Sequence, residues 1–434
     1  MAELASFILL HTNDVHGHVE GLARAATLVE RIASEHPETP VIYVDAGDVE
    51  EHTNRLSSAT KGAAMHRLLS AASCRAHAVG NATILRYGAE SLAAQAREAT
   101  YPLLLANMRQ ADGALLPSVQ PTAILDVGGH RLGLIGVTSP VDGSYEKWYG
   151  LTFRPTAPLV RELAEQLRAE GADGVVLLSH MGLNEDRQLA EELQGMIPAI
   201  VGAHSHNLLP DGEQIGSILI AQAGQYAEHL GRVDFEWTPS GLVARRATVL
   251  PITDAIAPSP RVLAAAASAE RDLEAFLGAI IGELAQPLDF AYDRECGTGD
   301  LTADALRERM DAEVAVLAIG HAFSGPLPTG PLARGTLWDV CASPANPGVT
   351  TLTGAQLLEM VRRGLDPARA AHVSRVTRGT PQGTFHLSGA TVRAGRLYVG
   401  DAPLDPQRSY RIAGTDWELD NEVPSVDPGA GGYS

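Results

Sequence analysis

The chain has 434 residues, 45% of them apolar, with 52 Asp and Glu against 33 Lys and Arg and a formal net charge of −19. That length suits two or three domains with a large core, and the apolar share argues against a disordered chain. An excess of negative charge this large excludes tracking a nucleic-acid backbone, which rests on clustered positive charge.

The chain opens on MAELASFILLHTND, with no basic segment leading into a full apolar core, and no apolar run reaches the length of a membrane span. A cytoplasmic protein with no signal peptide and no membrane partner is therefore expected. Along residues 1–255, short apolar runs alternate with helical patterns. The runs are FILL (7–10), VIYV (41–44), HAV (77–79), PLLLA (102–106), LGLIGV (132–137), GVVLLS (174–179) and AIVGA (199–203). Between several of them lie amphipathic stretches such as GLARAATLVERIASEH and APLVRELAEQLRAEG, with apolar residues three and four apart. The alternation predicts an α/β sandwich built on largely parallel strands, closed by a strand meander over 218–250. After the turn-rich ITDAIAPSPRV, an alanine-rich segment over 262–284 reads as a bridging helix, so 256–284 is expected to link the first domain to an α+β domain over 285–434. Cys74, Cys296 and Cys341 are far apart and form no CxxC pair, so neither a disulfide framework nor a thiolate zinc site is expected.

In open α/β sheets, ligands collect beyond the carboxyl ends of the strands. Here those ends carry Asp14 and His16 after FILL, Asp48 after VIYV, Asn81 after HAV, His180 after VVLLS, and His204 and His206 after AIVGA. Each has an ordinary reading: a lone His as a satisfied polar residue, GD and GN as turn dipeptides, HTND as a helix cap. Together, on one topological face, they are what two divalent ions would need. The mixture of carboxylate, carboxamide and imidazole suits Mn, Fe, Zn or Co better than Ca. Two such ions would give even an acidic protein a grip on small anions.

The motifs HTNDVHGH, VDAGD, AVGN, LLSHMG and VGAHSH, in this order, resemble the calcineurin-like metallophosphoesterase domain of the 5′-nucleotidase family. ECGTGDLTADA (295–305) and LDPQRSYRIAGTD (404–416) are similar to the opening and final strand region of that family's C-terminal domain. The resemblance implies a four-layer β-sandwich flanked by helices, with a linker helix to the second domain. It implies one ion on Asp14, His16 and His206, a second on Asn81, His180 and His204, and Asp48 bridging. It also implies hydrolysis of nucleotides or related small phosphate esters by a metal-bound hydroxide.

The chain departs from the family pattern in four places. Where the family loop reads Gly-Asn-His-Glu-Phe-Asp, its catalytic His and orienting Asp are here Ala82 and Leu85. This change, with GDVEEHTN and the missing signal, is similar to the cytoplasmic YunD-like branch. The family's phosphate-gripping arginine segment is AIGHAFSGPLP (318–328), without an arginine, and the closing Gly-Gly-Asp-Gly-Tyr is GAGGYS, without the Asp. Trp417 falls at one of the family's base-stacking aromatic positions and Phe385 beside the other, with core packing as the alternative for both. His18 and His52 are candidate proton donors, against an ordinary role as solvated loop residues. Two other functions fit the same residues: a phosphodiesterase or pyrophosphatase on activated phosphates, and a metal-binding protein with little catalysis.

Overall fold

A computed structural model describes residues 7–341, 343, 345–373 and 380–421. It divides into two compact units, Met1–Leu273 and Glu274–Ser434. Among the described residues, no helix is long and apolar enough to cross a membrane.

The first unit holds two six-stranded sheets. One runs Gly241–Pro251, His229–Thr238, Phe7–Thr12, Val41–Asp45, His77–Ala78, Leu103–Leu104. The other runs Glu213–Ile215, Ile218–Ala221, Ala199–Gly202, Gly174–His180, His130–Thr138, Thr122–Val127. The last four strands of the first sheet, from Phe7–Thr12 to Leu103–Leu104, are mutually parallel. So are the four strands Ile218–Ala221, Ala199–Gly202, Gly174–His180 and His130–Thr138 of the second. Antiparallel hairpins close the edges.

The period-two alternation of a strand sorts the apolar residues into layers. Phe7 and Leu9 enter the core between the sheets with Val44, Leu134, Val176 and Leu178. Ile8 and Leu10 face the other way, onto Leu22, Ala26 and Val29 of the helix Val19–Glu35. That helix stops because Pro37 disfavours helical geometry at His36. On the far side, Ile135, Val175, Leu177 and Ile200 receive Leu159, Leu163 and Leu167 of the helix Thr156–Ala169. The result is helix, sheet, sheet, helix: the four layers expected. Truncating a core side chain such as Leu9 to Ala costs about 2–5 kcal/mol.

The alanine-rich segment is helical over Pro260–Leu277 and not to 284. Gly278 is a poor helix residue, and the β-branched pair Ile280 and Ile281 favours extended chain. Ile280–Leu284 accordingly forms a strand antiparallel to Gly330–Ala333. The second unit centres on a sheet ordered Pro347–Thr353, Ser409–Thr415, Val314–Ala318, Phe385–Ser388. Its core gathers Val314, Val316, Leu357, Met360, Phe385 and Ile412.

Candidate metal centre

Asp14 and His16 follow the strand Phe7–Thr12, Asp48 follows Val41–Asp45, and Asn81 opens the helix Asn81–Tyr87 just after His77–Ala78. His180 ends Gly174–His180, and His204 and His206 follow Ala199–Gly202. The parallel strands bring all seven residues to one end of the sandwich. Asp14 Oδ1 lies 3.3 Å from His206 Nε2, 3.8 Å from His16 Nε2 and 3.9 Å from His180 Nε2. The Nε2 atoms of His16 and His206 are 3.2 Å apart. Asp48 Oδ2 is 3.3 Å from His180 Nε2. Asn81 Oδ1 is 3.1 Å from His180 Nε2 and 2.7 Å from His204 Nδ1.

The backbone is bent to achieve this. Asp14, His16, Asp48, His204 and His206 have φ of 49°, 46°, 54°, 71° and 56°. Left-handed backbone costs a residue with a Cβ about 1–2 kcal/mol, and such strain clusters at functional sites. Two glycines make room for the approach. A Cβ on Gly80 would sit 2.0 Å from Asp48 Oδ1, and one on Gly47, at φ +113°, would sit 2.4 Å from His180 Nδ1.

Surrounding groups aim the donors. His180 Nδ1 lies 2.9 Å from the Ala46 carbonyl, which turns Nε2 toward Asp48 and Asn81. Asn13 Nδ2 donates to Asp14 Oδ2 at 2.8 Å and to the Gly224 carbonyl at 2.6 Å, while its Oδ1 accepts from Ala223 N at 3.0 Å. The Ala82 N–H donates to Asp48 Oδ1 at 2.8 Å. Burial opposes a charge on His180, yet Asp48 and Asp14 outweigh it and push its pKa up to about 10. Burial likewise opposes ionisation of Asp48, but His180 and His16 hold its carboxyl well below the usual range. The hydrogen bond that His206 donates to Asp14 raises its pKa, whereas burial and the neighbouring His180 lower that of His204. Two carboxylates and converging imidazole nitrogens enclose a point that calls for positive charge. This mixed N,O donor set fits Mn, Fe, Zn or Co.

Residues 280–422 match the family model described as 5′-nucleotidase, C-terminal domain. The chain is 28% identical over 399 residues to the uncharacterized metallophosphoesterase YunD of Bacillus subtilis, covering 90% of this chain and 86% of that one. Residues 280–422 thus carry a 5′-nucleotidase C-terminal domain, and along most of its length the chain is similar to a metallophosphoesterase. It is also 26% identical over 340 residues to a 5′-nucleotidase of Diplobatis ommata, covering 69% of this chain and 58% of that protein. The crystal structure of a 5′-nucleotidase precursor from Thermus thermophilus shares the fold, with a TM-score of 0.54 at 23% identity, over 95% of this chain and 89% of that one.

Position 82 is notable for what surrounds it. Ala82 is 4% exposed, and Leu85 packs against the core cluster beneath the first sheet. His18 is exposed and stacks on Tyr226 at 4.5 Å between ring centroids, and His52 Nδ1 lies 2.5 Å from Glu51 Oε1. Two cavities flank the centre. One of about 550 Å³ reaches from His204 and Asn207 to Arg187 and Ser139, and one of about 320 Å³ lies between His16, His18, Asn54 and Tyr226. Asn13 and Tyr226 were not singled out from sequence. The N of HTND was visible there, but its partners Ala223 and Gly224 lie far along the chain.

In the second unit, Phe385 is fully buried and presents no ring face to a ligand, as the core-packing alternative has it. Trp417 is half-buried, with the His321 ring 3.7 Å away between centroids. GAGGYS lies outside the described residues.

Proposed function

We propose that the protein is a dinuclear metal-dependent phosphoester hydrolase of 5′-nucleotidase type, acting in the cytoplasm on nucleotides or related small phosphate esters. The observation that carries this reading is the convergence of two carboxylates, a carboxamide and four imidazoles on five strand ends, with five of those ligands held in left-handed backbone. Asp14, His16 and His206 would hold one ion, Asn81, His180 and His204 the other, and Asp48 would lie between. When bound, the two ions supply Lewis acidity and the positive charge that a phosphorus centre needs as it gains negative charge in the transition state.

The chain's own residues set the rest. Asn13 and the Ala46 carbonyl fix the orientations of Asp14 and His180. The cavities beside His204 and His16 offer room for the substrate's organic portion. Ala82 carries no proton for the departing oxygen, so the group best able to leave is one that is stable as an anion. This favours a second reading within the same chemistry, a phosphodiesterase or pyrophosphatase working on activated phosphates.

The test is an activity screen of metal-reconstituted protein across nucleoside monophosphates, cyclic nucleotides, nucleotide sugars and aryl phosphates, with Asp48→Asn as control. Hydrolysis of at least one class that disappears in the control supports the reading. A folded, metal-loaded protein inactive on all of them refutes it.

A further inference from the structure

Behind the metal centre lies a second polar cluster that hydrolysis does not use. Glu50, His66 and His77 are all 0% exposed, and one donor atom from each falls within a 4.8 Å group. They reach it from separate elements: the loop after Val41–Asp45, the helix Ala63–Ala71 and the strand His77–Ala78. Glu50 Oε1 accepts from His66 Nε2 at 2.9 Å and from Thr83 Oγ1 at 2.8 Å. Glu50 Oε2 and His77 Nε2 are buried and have no hydrogen-bond partner. A buried polar atom without a partner costs about 1–3 kcal/mol.

The outer nitrogens of both rings are already engaged. His77 Nδ1 lies 2.9 Å from Asp45 Oδ1, and His66 Nδ1 lies 2.9 Å from the Tyr101 hydroxyl. Asp45 is itself held by Thr12 Oγ1 at 2.5 Å and by the Gly47 N–H at 3.0 Å. A carboxylate on one nitrogen of an imidazole, with the other aimed inward, is the arrangement that orients a histidine on a metal. The buried carboxylates of Glu50 and Asp45 have imidazoles as their ion-pair partners, His66 and His77. A divalent cation would balance both charges with the two rings neutral.

We propose that Glu50, His66 and His77 form a third cation site, a closed structural site of zinc type that is separate from the open centre. Two imidazoles and a carboxylate are an established zinc donor set, and a tetrahedral shell places ligand atoms about 3.4 Å apart, so Glu50 Oε1 and His66 Nε2, 2.9 Å apart without an ion, separate by about half an ångström on binding. The second oxygen of Glu50 or a water completes the shell. As the metal takes the place of the proton on His66 Nε2, the neutral ring carries its one proton on Nδ1, donated to the Tyr101 hydroxyl oxygen. Thr83, bonded to Glu50, ties this site to the helix that carries Asn81. An ion here would therefore brace one wall of the open centre without touching substrate.

The experiment is anomalous diffraction at the zinc edge on crystals of the full-length protein grown with zinc, paired with metal analysis before and after dialysis against EDTA. The expected result is an anomalous peak bounded by Glu50, His66 and His77, with about one equivalent resisting a chelator that empties the open centre. That equivalent should persist in Asp48→Asn and vanish in His77→Ala and in the near-isosteric Glu50→Gln. Crystals with zinc in the open centre and only a water, or nothing, among the three residues would overturn the proposal. An occupied closed site beside an open centre that never binds metal would leave this proposal standing and refute the proposed hydrolase.

Discussion

The six residues from Asp45 to Glu50 serve two polar clusters built in opposite ways. Asp48 faces an open centre whose ligands sit largely in left-handed backbone and border two cavities. Asp45 and Glu50 face a sealed cluster in which His66 lies in a regular helix, His77 in a strand, and neither has positive φ. Strain is tolerated where a site must present charge to a ligand, because the surrounding fold over-determines the backbone. Where a cluster only has to hold elements together, ordinary helix and strand positions suffice. The two should therefore fail differently: damage to the open centre should abolish turnover in a stable protein, and damage to the sealed cluster should loosen a protein that still turns over.

The largest expected effect concerns the alanine at position 82. Without a donor there, log rate for the wild type should fall steeply with leaving-group pKa, and aryl or pyrophosphate substrates should outrun AMP. Ala82→His with Leu85→Asp should flatten that dependence and raise alkyl monophosphate turnover by at most about 10²–10⁴-fold. Because Ala82 is buried, overpacking will subtract from the gain, so folding and metal content must be followed in parallel. Parallel plots for two folded, metal-loaded proteins would mean that Ala82 is not the cause, and that either another donor, His52 or His18, already acts or the loop lies away from the substrate.

Next in size is Asn13→Ala. It removes the side chain that positions Asp14 while leaving every proposed ligand in place, and it should cost 10- to 100-fold, roughly, in metal affinity or activity. Isothermal titration with Mn²⁺ and initial rates would measure both. Unchanged affinity would mean that the strand end alone positions Asp14.

The opposite signature is expected of Thr83→Val, which deletes a buried hydrogen bond to Glu50 in the sealed cluster. Urea unfolding should show a loss of about 1–3 kcal/mol, with turnover per folded molecule unchanged. A loss of turnover without a loss of stability would erase the distinction between the two clusters.

A last prediction tests the fold that carries both. Asp186 is fully buried in the helix Leu183–Glu192, accepts a hydrogen bond from Ser179, and has Oδ2 unpartnered. Burial raises its carboxyl to about 8. With the folded value above an unfolded value of about 3.9, the native state binds the extra proton between the two, and stability falls as pH rises through that window. The slope is at most about 1.4 kcal/mol per pH unit, and Asp186→Asn should lack it. Urea midpoints measured from pH 5 to pH 8 should converge toward acid and separate toward base. Parallel pH curves would mean that Asp186 is ionised throughout.

Much of the open centre was legible because the sheet topology and its ligands both leave local marks. Alternating apolar runs announce strands, and His, Asp and Asn at their ends stand out against apolar neighbours. The sealed cluster leaves no such mark. His66 sits in AAMHRLL, where the pattern reads as an amphipathic helix, and His77 belongs to the apolar run HAV. Only packing brings them to Glu50. The end of the bridging helix was misread for a related reason: alanine and glutamate sustain a helical pattern, while the strand at Ile280–Leu284 depends on its partner Gly330–Ala333. Phe385 likewise looks the same in sequence whether it stacks on a ligand or fills a core.

The most direct measurement is a Mn²⁺ titration of activity in protein stripped by chelation, with nitrophenyl phosphate esters as substrates. Wild-type activity should rise from baseline and level off at about two equivalents, whereas Asp48→Asn, folded to the same midpoint, should stay flat. Undiminished hydrolysis in excess chelator, or a flat wild-type titration in folded protein, would contradict the assignment of Asp14, His16, Asp48, Asn81, His180, His204 and His206 to a hydrolytic two-metal centre.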